Sequence, residues 1–465
     1  MRLVKSTTLE KIIALRWKWL TAYTIVSLLS VAAWTQDNSP YSRYGLGDVA
    51  ARTNILMRGM GSFCAAYSHP LSINFTNPAS YSTFLSYQEE KSKKSASGRA
   101  LFDVGLNLDN RTLREGSSPQ KFTSTNAIVS YMQVGLPLRK NWGLNFGLRQ
   151  LSRIGYQIVR LERLFDPITG NPIDSAATEF SGDGGSFLGS LGTGVAIGNL
   201  SIGVNFGYLF GQKSFATKRA FLNDTVEYHS SNHTTKTTFG DIYLDGGFQY
   251  KIDLSAKYEL RLGAYGNIKQ TMNAHQNIVS ETFNRTVLGD ATLDSVSTQK
   301  DVKGEVIYPA SYGTGLVLEK RADMQNNKYG SWLLGVDFVQ YKWDQYRFYG
   351  AADSVQDSWE LKVGTEIRPE PKGNYFSNVA YRAGIFVGKD YVHVRDDLPL
   401  LGITFGMGLP LANYNQLARS QISIINLAFE YIKRGNNDNL LKENLFRISI
   451  GLSFSDLWFV KRKYE

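Results

Sequence analysis

The sequence predicts an all-β chain: a 14-stranded antiparallel transmembrane barrel of the outer-membrane type, with an N-terminal plug containing short helices. Three observations carry this. Runs of ten or more residues alternate between apolar and polar side chains, the length a tilted strand needs to cross the hydrocarbon layer. Forty-three glycines, 26 tyrosines and 25 phenylalanines suit a curved wall ringed by interfacial aromatics. After the N-terminal segment, no stretch is apolar enough for a membrane helix.

Residues 1–33 read as a signal peptide. Arg2, Lys5, Lys11, Arg16 and Lys18 form a basic region, Leu20 to Val31 an apolar one, and Ala32 and Ala33 supply small residues before a cleavage site near Thr35. The apolar run falls short of the ~20 residues of a spanning helix. The formal charge of +10 drops to mildly positive once this segment is removed, which makes no case for nucleic acid. Lys461, Arg462 and Lys463 read as a solvated tail. The single cysteine, Cys64, rules out an intrachain disulfide and reads as a small buried residue.

From about residue 100 the period is two. In "DSWELKVGTEIRP", Trp359, Leu361, Val363, Thr365 and Ile367 share one face, and Glu360, Lys362, Gly364, Glu366 and Arg368 the other. "NLFRISIGLSFSDLWF", "LSIGVNFGYLFG" and "IINLAFEY" repeat the pattern. Strands are expected to start near residues 100, 125, 143, 186, 200, 236, 258, 302, 331, 356, 378, 400, 421 and 444. An even number returns both ends of the barrel to one side of the membrane. Connections after even-numbered strands read as short turns such as "RKNW" and "GN". Several after odd-numbered strands read as longer polar outer loops, among them Phe165 to Gly185 and Thr217 to Thr235. Pro309 predicts a bulge or break in strand eight. Trp142, Trp332 and Trp458 fall near strand ends, where interfacial rings belong.

Residues 36 to 90 do not alternate. Small residues, prolines and short helical pieces suggest a compact plug, with helices over Asp48 to Met57 and Pro78 to Leu85. Asn77 can cap the second helix, and Pro78 suits its first turn. The division expected is 1–33 signal peptide, 34–98 hatch and 99–465 barrel.

Gly59-x-Gly61, the small residues after it and Asn77-Pro78-Ala79 before the first strand resemble the hatch of FadL-type outer-membrane transporters of long-chain fatty acids and other hydrophobic compounds. "SPYSRYGLGD" and "DLWFVKRKY" are similar to the FadL-like branch of Bacteroidota. The resemblance implies an outer-membrane location, passive uptake of a hydrophobic small molecule or fatty acid, a pocket beside the plug, and release when the plug moves. It further implies sideways exit at an inward kink of the third strand, where Arg153 and Gly155 lie. Surrounding lipid and lipopolysaccharide would be its other contacts. By parity Arg149, Lys362, Arg382 and Arg447 face the lumen, as candidates for a carboxylate head or as partners of acids such as Glu360, Glu366 and Glu430.

Nothing in the sequence supports catalysis, a cofactor or a metal. The five histidines are dispersed, and His229 and His233 lie in a loop without Cys or acidic companions. No Gly-x-Ser-x-Gly element and no phosphate loop is present. The alternative to uptake is a barrel of the same fold serving as scaffold or carrier in protein secretion, meeting a protein partner through its outer loops.

Overall fold

Alternating residues can bury one face only if neighbouring strands pair, and in this chain pairing closes on itself. A computed structural model describes residues 39–88, 95–115, 120–222, 229–286, 289–323, 329–411 and 421–458. The expected signal peptide and the Lys461–Lys463 tail lie outside these residues. The N-terminal part contributes β1 (Asp48–Val49), the single-turn helix α1 (Ile55–Arg58), a 3-10 helix over Pro78–Thr83 and β2 (Ser86–Gln88).

The wall follows as β3 (Ser95–Glu115), β4 (Lys121–Arg139), β5 (Trp142–Phe165), β6 (Pro172–Ile197), β7 (Leu200–Phe221) and β8 (Ser230–Asp253). Then come β9 (Tyr258–Asn267), β10 (Gln270–Thr286), β11 (Gly289–Tyr308), β12 (Ser311–Lys320) and β13 (Ser331–Tyr341). The chain finishes with β14 (Arg347–Phe348), β15 (Ser358–Arg368), β16 (Ala380–Val394), β17 (Asp396–Leu411), β18 (Ile422–Arg434) and β19 (Leu441–Trp458).

β8 pairs with β9 at one end and with β10 at the other, while β9 pairs with β12 and β10 with β11. β9 with β10, and β12 with β11, are therefore two interrupted staves. The second breaks at Pro309, as its missing N–H predicts. β19 closes on β3 from Leu441–Glu115 to Trp458–Gly98, giving a closed 14-stranded antiparallel barrel. Both barrel ends lie at one rim, here the terminal rim. Trp142, Trp332 and Trp458 all stand at that rim.

Parity holds where the wall faces lipid. Ile202, Val204, Phe206, Tyr208 and Phe210 are exposed on β7, while Asn205 between them is buried. Trp359, Leu361 and Ile367 are exposed on β15, while Lys362 and Glu366 are buried inside. The buried apolar clusters also lie inside, where wall and plug meet.

The connections depart from expectation. The stretches read as outer loops, Phe165 to Gly185 and Thr217 to Thr235, are mostly strand: β5 pairs with β6 up to Phe165–Pro172, and β7 with β8 up to Arg219–Ser231. Polar residues on both faces look like loop in a sequence but are normal for a hairpin standing in water. At the terminal rim the connections after β12 and β15 run over residues 321–330 and 369–379, longer than the short turns expected. The helix expected over Asp48 to Met57 is also shorter. Asp48 and Val49 instead pair with Arg153 and Ser152 of β5, and α1 begins after Asn54, whose side chain caps the Met57 N–H. The 3-10 helix is capped as expected, Asn77 accepting from the Ala79 N–H with Pro78 in the first turn.

Candidate functional site

The plug fills the lumen, and its fit is set by glycine. β3 to β9, β13, β15, β16, β17 and β19 each present a glycine on which an added Cβ would press into plug atoms. Gly203 lies against the Pro78 carbonyl carbon, where a Cβ would stand 2.3 Å away, and Gly263 against the Ala65 oxygen at 2.0 Å. Gly61 has a φ of +76°, and Gly384 on β16 approaches its nitrogen so closely that a Cβ would sit 2.2 Å from it. Sequence reasoning assigned these wall glycines to relief of curvature. The structure gives them a second task, letting plug backbone touch wall backbone.

Buried polar groups fasten the same surface. Arg58 is fully buried and donates from Nε to the Thr53 carbonyl (3.0 Å), from Nη1 to Asn107 Oδ1 (2.7 Å) and from Nη2 to Ser130 Oγ (2.6 Å). Asp337 Oδ2 on β13 accepts the N–H groups of Cys64 (2.5 Å) and Ala65 (2.7 Å). Asn77 Nδ2 donates to the Ala65 carbonyl at 2.6 Å, as well as capping its own helix. Burial, with the Asp337 charge nearby, pushes the Cys64 thiol up to about 12, so it stays protonated. None of Asp337, Arg58 or Asn54 was singled out from sequence. An acid among the apolar residues of "SWLLGVDFVQY" was the available signal for Asp337.

Of the hatch residues expected, Gly59 and Gly61 meet the wall at Gly406 and Gly384, while Asn77, Pro78 and Ala79 form the capped turn against β7 and β8. The four candidate cations are all buried inside, but they do not converge. Lys362 Nζ lies 2.8 Å from Glu360. Arg382 Nε lies 2.5 Å from Glu366, with Nη1 3.0 Å from Asn426. Arg447 forks onto Asp109 at 2.6 and 2.8 Å. Arg149 sits over the Phe75 ring at 5.1 Å, with Asp245 at 3.6 Å.

A cavity of about 170 Å³ lies between residues 48–53 of the plug and the wall from β13 to β19. Its lining mixes Arg52, Lys362, Arg434 and Arg447 with Asp48, Glu360, Asp390, Glu430 and Glu443, and aromatic groups such as Tyr341 and Trp343. Most of the charges are paired: Arg434 with Asp390 and Glu443, Arg111 with Asp48 and Glu443. The pocket beside the plug thus combines apolar and aromatic surface with paired charges. A second, wider space of about 330 Å³ lies at the terminal rim below the 3-10 helix.

The third barrel strand, β5, is irregular where the resemblance placed an exit. Its register against β6 shifts between Gln150 and Ser152, leaving Leu151 as a bulge turned inward. Arg153 pairs with Asp48 of the plug, and the Gly155 carbonyl accepts the Ser39 N–H at 2.9 Å. The histidines are scattered: His233 faces Ser280, His275 faces Asp301 and His393 faces Asp397. Among the described residues no group of His, Cys, Asp and Glu could hold a metal ion.

The architecture is that of solved outer-membrane channels. A Pseudomonas aeruginosa FadL homologue shares 12% identity over 90% of this chain and 100% of its own, with a TM-score of 0.50. The P. putida toluene transporter TodX shares 15% over 87% of this chain and 98% of its own, at 0.49. At 12% identity the likeness to the FadL homologue bears on the fold alone. No curated protein matches the sequence. The family model named BamG spans residues 17–465, plug and barrel together, and the chain belongs to the BamG family.

Proposed function

We propose that this protein is a plugged outer-membrane barrel that works as a docking protein for other polypeptides, in the manner of a scaffold in protein secretion. The observation that carries this reading is the fastening of the plug. Moving it would separate Asp337 from two N–H groups, strip Arg58 of its wall partners and part the glycine contacts around most of the wall. Each buried polar pair left open costs about 1–3 kcal/mol, and more for a charge. The cavity beside the plug, at about 170 Å³ and with Arg434 ion-paired to Asp390 and Glu443 in its wall, is small for a long-chain apolar molecule. The raised wall of β5 to β8 with β10 and β11 gives a protein partner a long surface to meet.

A second reading, passive uptake of hydrophobic small molecules such as fatty acids, is supported by the irregular third strand and by the fold shared with hydrophobic-compound channels. Native mass spectrometry with lipid extraction separates the two. Docking predicts no retained fatty acid and a stoichiometric protein partner, lost when residues 280–297 of the β10–β11 hairpin are replaced by a short turn. A fatty acid retained inside the barrel, with no protein partner, would put uptake first.

A further inference from the structure

The cations around the cavity of about 170 Å³ are neutralised with one exception. Arg111, Lys362, Arg434 and Arg447 have the carboxylate partners given above, and Lys389 lies 2.8 Å from Asp397. Arg52, in the same wall, makes no ion pair among the described residues. Its Nη1 donates to Ser311 Oγ at 3.1 Å and its Nη2 to the Tyr308 hydroxyl at 3.1 Å, both neutral groups. Its guanidinium stands 4.5 Å from the centre of the Tyr341 ring, which attracts a cation but brings no compensating charge. A charge taken out of water ordinarily has a counter-charge, because its desolvation is otherwise unrecovered.

Nothing nearby supplies one. Asp245 lies within electrostatic reach of Arg52, but Arg149 stands 3.6 Å from it and Asn205 Nδ2 donates to it at 2.6 Å. The backbone at Arg52 is fixed as well. Its carbonyl accepts from Thr76 Oγ1 at 2.5 Å, and β1 just before it is paired to β5. Two further donors line the same cavity. Ser358 faces Tyr341 across the β13–β15 ladder, and Trp343 opens the turn after β13. Among the described residues, neither the Ser358 hydroxyl nor the Trp343 indole N–H has an acceptor.

The form of the site selects its ligand. Arginine takes a carboxylate or phosphate best through two parallel N–H groups. On Arg52 the Nε is buried without a partner, and both Nη atoms already donate within the protein, so the side-on fork is closed. A spherical ion needs only a single N–H and the field of the charge. Asp48, Glu360 and Glu430 in the same wall disfavour a multivalent or second anion.

We infer that the cavity binds one chloride-sized monoanion against Arg52, with Ser358 and Trp343 as its other donors. The ion completes the seat of the plug, since Arg52 already touches β11, β12 and β13 through Tyr308, Ser311 and Tyr341. This goes beyond the docking reading and does not rest on it.

Hydrogen exchange at residues 49–58 of the full chain in lipid nanodiscs tests the site. Chloride or bromide at about 0.2 M is compared with gluconate at equal ionic strength. Wild type should exchange about fivefold more slowly, or slower still, in either halide, because an ion bound only to the seated plug opposes its opening. Arg52→Gln should lose the halide effect, and Arg52→Lys should keep part of it. If Arg52→Gln does not fold, anomalous scattering from wild-type crystals grown in bromide decides, with a peak expected between Arg52 and Ser358. Equal exchange in halide and gluconate, a halide effect undiminished in Arg52→Gln, or no bromide peak in the cavity would overturn the inference. Protection by palmitate and not by halide would overturn it in favour of an acyl carboxylate.

Discussion

Gly59 of the plug lies directly on Gly406 of β17, so close that a Cβ on Gly59 would stand 2.8 Å from the Gly406 Cα. Neither residue has room for a side chain. Gly406→Val should force plug and wall apart, at a cost of about 1–3 kcal/mol, the usual range for overpacking a filled interior. The purified variant should lose protease protection of residues 39–88 before the barrel itself unfolds. Unchanged protection would mean the plug is looser than this contact requires.

Asp337 of the wall grips the middle of the plug through the N–H groups of Cys64 and Ala65. Asp337→Asn keeps an accepting oxygen and should be mild. Asp337→Leu leaves two buried N–H groups without partners and should destabilise by about 2–4 kcal/mol, read as a lower urea midpoint. Equal midpoints for the two variants would contradict the assignment.

Arg58 reaches both β3 and β4, through Asn107 and Ser130. Arg58→Met fills a similar space but strands those acceptors, and should cost about 3 kcal/mol. It should also speed exchange at 128–132, because the guanidinium holds Ser130, which is left out of the β3–β4 register between Val129 and Tyr131.

His69 links the plug to Arg368, whose Nη1 lies 3.1 Å from His69 Nε2. Burial, with the Arg368 charge beside it, lowers the His69 pKa from 6.5 to about 3, so the folded ring is neutral. The unfolded chain binds a proton here below about 6.5 and the folded one only near 3. The stability contributed by the neutral ring is therefore present above that upper limit and falls away as the pH drops through the window. Wild type should lose plug protection between pH 6.5 and 4, and His69→Gln should show a flatter profile over the same interval.

Cys64 should resist labelling. It is buried, and its thiol is held up near 12. Maleimide should modify it only after denaturation, and in Asp337→Leu it should react at an intermediate rate as the plug loosens.

Much of the barrel was legible in the sequence, because alternation reports directly which face of a strand meets lipid. Trp359, Leu361 and Ile367 on one side, with Lys362 and Glu366 on the other, were enough for β15. Pro309 announced its own break, and Asn77-Pro78 its capped turn. Less visible was whatever depends on distant partners. β1 is two residues long, and its pairing partner lies about a hundred positions away, so no local pattern marks it. The strand extensions above the membrane are polar on both faces and read as loops. The point where the β4–β5 ladder ends, Tyr131–Arg149, is equally unmarked in the sequence. The lumen cations were placed on the right face by parity, but only the structure shows Arg447 forked on Asp109 and Arg382 against Glu366.

The measurement that tests the closed, docking barrel most directly is conductance and solute uptake by the purified protein in planar bilayers and liposomes, with Gly406→Val beside it. The account predicts a silent wild type, impermeable to ions and to a fluorescent fatty acid, with leakage appearing only when the variant dislodges the plug. Saturable fatty-acid uptake by wild type, unchanged or lost in the variant, would contradict it.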